Sequence, residues 1–72
     1  MNEFNVGVVI PCGENRLDNL KMVLQHLKVQ TFKPRSIVIV CDGFLPQKVS
    51  EYCGQEMSEI MLEGIQIQAT YN

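Results

Sequence analysis

Asp42 closes the run Val38-Ile39-Val40-Cys41 and is followed by Gly43. An ionised carboxylate accepts hydrogen bonds and donates none. At the end of a strand it is suited to the N–H of a nucleobase or the hydroxyls of a ribose. A second reading is local: Asp-Gly opens turns, because glycine takes backbone angles that other residues avoid. Both readings of Asp42 stand at this point. The other reactive residue types point to little chemistry of their own. Cys12, Cys41 and Cys53 are odd in number and lack C-x-x-C spacing, which argues against a disulfide framework or a zinc site and for reduced thiols. Cys12 and Cys41 could meet, but no basic neighbour that would lower a thiol pKa is evident, so they read as small residues filling tight space. His26 has no second histidine or acid at ligand spacing and reads as helix surface. Glu56, Glu59 and Glu63 read as solvated surface. Gly13 and Asn15 fit neither the GxxxxGK[ST] nor the GxGxxG phosphate loop. There is no Ser/His/Asp set.

The bulk of the chain sets the limits. Seventy-two residues with 46% apolar and 19% charged side chains describe one small globular domain. A chain of this size buries only about 60% of its unfolded surface, so its stability by itself is marginal. The net charge is −2, and Lys21, Lys28, Lys33 and Arg35 are dispersed rather than striped, which argues against a nucleic-acid footprint. No apolar run approaches the roughly 20 residues of a membrane span. Met1-Asn2-Glu3-Phe4-Asn5 lacks the basic region and long apolar core of a signal peptide. A soluble, cytoplasmic protein is expected.

The elements follow from periodicity. Val6-Gly7-Val8-Val9-Ile10 is a short β-branched run ended by Pro11, the pattern of a strand covered on both faces. Asn15 precedes an acid, Asp18, by three residues, a capping pattern. Leu17, Leu20, Val23, Leu24 and Leu27 then fall on one helical stripe, and Pro34 forbids the helix from continuing. Ser36-Ile37-Val38-Ile39-Val40 is a second strand apolar on both faces. Pro46 suits the first turn of a second helix. Its apolar set is Val49, Tyr52, Cys53, Met57, Ile60 and Met61, weakened by Gly54 and stopped by Gly64. Ile65-Gln66-Ile67-Gln68-Ala69 alternates strictly, as in a strand with one buried and one wet face.

Strand, helix, strand, helix, strand implies an α/β fold with a parallel sheet and right-handed crossovers. If consecutive strands are neighbours, the order across the sheet is 3-2-1 and both helices lie on one face. Strand one is then an apolar edge of the kind that aggregates unless paired or covered. Two explanations are open. Residues 1–72 are a partial domain completed by the remainder of a parent protein, or the chain self-associates through that edge. Ligands of open α/β sheets bind outside the carboxyl ends of the strands. There the sequence places Pro11-Cys12-Gly13-Glu14-Asn15 beside Cys41-Asp42-Gly43.

Val8-Val9-Ile10-Pro11-Cys12, Asn15-Arg16-Leu17, Asn19-Leu20, Gln30-Thr31-Phe32-Lys33-Pro34 and Ile37-Val38-Ile39-Val40-Cys41-Asp42-Gly43 occur in that order. Together they resemble the opening of the family-2 glycosyltransferases of GT-A fold, which reads V-V-I-P-T-Y-N-R, a leucine-bearing helix, Q-T-Y-x-P and I-I-V-V-D-D-G-S. The resemblance covers residues 6 to 43. It implies a Rossmann-like β-α-β-α-β half, an incomplete GT-A nucleotide-binding region, in a protein that transfers sugar from a nucleotide-activated donor, commonly a UDP-sugar, to an acceptor it does not identify. Carried over by position, Pro11 and Cys12 line the base pocket and Asp42 accepts the N–H of the base. The resemblance also implies a divalent metal, Mg or Mn, but its D-x-D ligands and the catalytic base have no counterpart in these residues. Three positions depart from the pattern: Cys41 replaces the first acid, Gly13-Glu14 replaces one aromatic residue, and Phe44 replaces the serine. Other α/β classes fit less well. A phosphoacceptor receiver wants acids after strand one, a nucleotidylyltransferase a basic glycine-rich loop, and a dehydrogenase GxGxxG.

Overall fold

The computed structural model describes residues 6–31 and 33–72. The leader reading of Met1 to Asn5 and the Phe32 position of the resemblance lie outside the described residues. The elements are β1 (Gly7–Gly13), a 3-10 turn (Glu14–Arg16), α1 (Leu17–Val29), β2 (Ser36–Asp42), α2 (Gln47–Leu62) and β3 (Gln66–Tyr71). The three strands form one parallel sheet in the order β1-β2-β3, so β2 is central and consecutive strands are neighbours.

β2 shows why the sheet holds. Ile37, Ile39 and Cys41 are buried on one face, while Val38 and Val40 are only partly covered on the other. The buried row joins Leu20 and Leu24 of α1 and Val49, Cys53, Met57 and Ile60 of α2 in a single core. Both helices therefore pack on the same face. Fully burying one such aliphatic side chain contributes about 1.5–3 kcal/mol, so this layer carries most of the fold's stability. Side chains alternate across a strand, and Val9 opposite Val38 belongs to the other face. Val9 is 65% exposed there. Among the described residues nothing covers that face, and β1 is an uncovered edge strand.

Three local expectations are corrected. Pro11 does not end β1, which runs on to Gly13; a proline without an N–H is tolerated on an edge strand. Asn15 is not the cap of α1. It lies inside the 3-10 turn, and the capping position falls to Arg16, which makes no side-chain capping bond. Glu56 is not solvated surface: it is only 6% exposed, because it lies one turn from Cys53 and Ile60 on the buried stripe of α2. Its Oε2 accepts a bond from Gln25 Nε2 at 3.3 Å, and its Oε1 has no partner. Glu59 and Glu63 do remain at the periphery, where they pair with Lys28 and Lys33 of the α1 side.

The breaks between elements behave as their residues dictate. Gly64 takes φ +85° and its N–H bonds to the Met61 carbonyl at 2.9 Å, a glycine stop for α2. Cys53 departs from helical angles (φ −118°, ψ 20°), so α2 is kinked next to Gly54.

Candidate functional site

The carboxyl end of the sheet is assembled from two short connections. After β1 the chain passes through Gly13 into the 3-10 turn and α1. After β2 it passes through Gly43, Phe44, Leu45 and Pro46 into α2. Gly13 stands directly opposite Asp42 in the parallel register, one pair beyond Cys12 and Cys41. Gly43 takes φ +82°, a left-handed angle that favours glycine, so the turn reading of Asp-Gly holds at the backbone. Phe44 folds inward and is buried, anchoring the second connection to the core. The turn does not occupy the Asp42 carboxylate. Asp42 is exposed, and among the described residues its side chain has no hydrogen-bond or ion-pair partner.

The two connections are tied together at their outer side. Lys48 Nζ donates to Glu14, linking the first turn of α2 to the turn after β1. Tyr52 donates its hydroxyl hydrogen to Asp18, and the Lys21 ammonium lies 4.9 Å from the centre of the Tyr52 ring. The hydrogen bond from Lys48 to Glu14 holds the Lys48 ammonium above its ordinary pKa, and the bond to Asp18 does the same for the Tyr52 hydroxyl. These contacts fix where the rim lies relative to the helices.

The residues singled out from sequence divide between the two faces. Pro11 and Gly13 share the uncovered face with Asp42, whereas Cys12, at the intervening position, turns towards the helices. Cys12 is 4% exposed and its Sγ donates to the Gly13 carbonyl at 3.2 Å. Pro11 and Cys12 both border a groove of about 420 Å³ between the edge of β1 and α1, together with Arg16, Asn19, Val23 and His26. Asp42 does not border it. The structure thus brings Pro11, Gly13 and Asp42 to one rim and sets the Cys12 side chain behind them.

Burial pushes all three thiols up in pKa. Arg16 opposes this at Cys12. Cys53 is raised first by burial and then by the charge of Glu56. No basic neighbour of these thiols is evident from residue type alone, yet Arg16 lines the same groove as Cys12. Its signal was spacing: four residues after Cys12, it sits where a single tight turn carries the chain back over the strand. Among the described residues no group of three His, Cys, Asp or Glu side chains is arranged to hold a metal ion. No described helix is long and apolar enough to cross a membrane. Compared with protein-family models, curated proteins and solved structures, the chain matches none.

Proposed function

We propose that residues 1–72 form the nucleotide-binding front of a glycosyltransferase, taking the nucleoside of a nucleotide-sugar, in first place a UDP-sugar, at the rim formed by Pro11, Gly13 and Asp42. In this reading the sheet is the Rossmann-like half of a GT-A fold with strand order 3-2-1. It is a partial domain, the rest of a cytoplasmic parent protein covers β1, and the sugar acceptor binds there. The observation that carries the proposal is Asp42: a free carboxylate at the carboxyl end of the central strand, directly across from Gly13. It is the position at which open parallel sheets meet their ligands. The carboxylate accepts the N–H of the base, Pro11 gives the base an apolar side to lie against, and Gly13 leaves the approach clear of side-chain bulk. Cys12 supports this pocket from behind.

The activity proposed for this chain is binding. The described residues supply no ligand set for the divalent metal that the resemblance implies, so no step is drawn through it. The test is calorimetric titration with uridine diphosphate of the wild type and of Asp42→Ala. Loss of the acceptor leaves a donor unpaired and weakens binding by about 1–3 kcal/mol. Equal affinity in the two proteins removes Asp42 from the site.

A second reading draws on a different observation, the 65% exposure of Val9 beside an uncovered edge strand. In it the chain is a non-catalytic assembly module that pairs β1 with a second copy. Sedimentation separates the readings: a folded, stable dimer supports assembly, and a monomer that binds uridine diphosphate supports the nucleotide site.

A further inference from the structure

Cys12 and Cys41 are partners in the β1–β2 register. Both belong to the buried core on the helix side of the sheet. Paired positions on neighbouring strands lie about 4.8 Å apart, inside the roughly 4.4–6.8 Å between α-carbons that a disulfide accepts. Their side chains leave the sheet on the same face, so they start side by side rather than back to back. Access differs between them. Cys12 borders the groove between β1 and α1, whereas Cys41 is fully enclosed. Cys53 belongs to the same core but projects from α2 and not from the strand pair, with the charge of Cys12 reaching it.

We propose that Cys12 and Cys41 form a peroxide-sensitive thiol pair, Cys12 being the thiol that is oxidised and Cys41 the one that resolves it. The first step uses a hydroperoxide, small enough to enter the groove. The Cys12 sulfur attacks one peroxide oxygen, the O–O bond breaks, and Cys12 becomes a sulfenic acid. With hydrogen peroxide one water leaves, carrying the thiol proton. In the second step the Cys41 sulfur attacks the Cys12 sulfur. The S–O bond breaks, an S–S bond forms, and the hydroxyl departs with the Cys41 proton as a second water. Two thiols have lost two electrons and one peroxide has gained them. Arg16, on the wall of the same groove, provides the positive charge that favours the attacking thiolate. Burial works the other way and makes the pair slow, so it responds to sustained peroxide and not to traces. The product ties β1 to β2 one residue before Gly13 and Asp42.

The experiment treats the full chain, folded, with hydrogen peroxide held in excess over a prolonged incubation. The protein is then unfolded and its remaining thiols are blocked with N-ethylmaleimide. The expected result is an intact protein lighter by two hydrogens before blocking, one maleimide located on Cys53, and a digest containing Cys12 joined to Cys41. In Cys41→Ser the sulfenic acid on Cys12 persists and is captured by dimedone. Cys53→Ser leaves the link unchanged. Maleimide on all three cysteines, a link that includes Cys53, a link between two chains, or sulfinic acid on Cys12 in place of the link overturns the proposal. The digest of the wild type needs no variant to fold, so the decision does not rest on the substitutions.

Discussion

Replacing Glu56 by methionine is expected to stabilise the protein. The substitution removes a carboxylate that is 6% exposed and satisfied at only one oxygen. A buried polar atom without a partner costs about 1–3 kcal/mol. Against that stands the loss of the bond from Gln25 Nε2, worth about 0.5–1.5 kcal/mol. Gln25 itself is exposed and regains water as its partner. Methionine is close to glutamate in length and flexible enough to fill the space beside Met57 and Ile60. The balance is a gain of about 1 kcal/mol. For a domain of 60–100 residues that corresponds to roughly 4–8 °C in Tm. Glu56→Gln serves as the control: it keeps the shape and an acceptor for Gln25, leaves a polar end in the core, and shifts Tm by less than the methionine. Thermal unfolding followed by circular dichroism measures both. A methionine variant that melts well below the wild type would show that Glu56 has a partner the helix interface depends on, and the reasoning from the orphan oxygen would fail.

Other consequences follow from the backbone and from the ionisable groups. Gly54→Ala should raise the urea midpoint by an amount equivalent to about 0.5–1 kcal/mol. A Cβ there meets nothing within 4 Å and the residue has no positive φ; a lowered midpoint would mean that the kink at Cys53 needs the glycine. Gly43→Ala should do the reverse, costing about 1–2 kcal/mol because a side chain is placed at φ +82°, and unchanged stability would refute the left-handed turn after Asp42. Stability should also fall at alkaline pH. Burial raises the Cys12, Cys41 and Cys53 thiols above the ordinary value of 9.0. A raised folded pKa gives stability that is complete below the unfolded value and is lost as pH rises through the folded one. Lys48 and Tyr52, also raised, extend the same trend upward. Urea midpoints measured from neutrality to above pH 9 check this, and a flat profile contradicts the burial of the thiols.

The five main elements, their order and the parallel sheet were legible because the first two strands are short β-branched runs, the third alternates, and each helix carries an apolar set at helical spacing. Ile37, Ile39 and Cys41 share a buried row with Leu20 and Leu24 because alternation in β2 meets a helical stripe in α1. What escaped were features that depend on neighbours. Pro11 reads as a stop in isolation, yet an edge strand accepts it. Asn15 and Asp18 carry a capping pattern, but a 3-10 turn displaces the helix start to Leu17. Glu56 looks like surface by residue type, whereas its phase with Cys53 and Ile60 places it inside. For the candidate site, the meeting of the two carboxyl-end loops follows from strand adjacency, and the period of two separates Cys12 from Pro11 and Asp42. That Asp42 is left without a partner depends on how Gly43 and Phe44 turn away from it, which periodicity does not encode.

Amide chemical-shift mapping of the labelled protein during titration with uridine diphosphate reads the Asp42 rim residue by residue. Saturable shifts are expected at Gly13, Asp42 and Gly43, with Ser36 and Gln66 at the opposite end of the sheet unmoved. Shifts confined to that opposite end, or no shifts at saturating nucleotide, would contradict a nucleotide site at that rim.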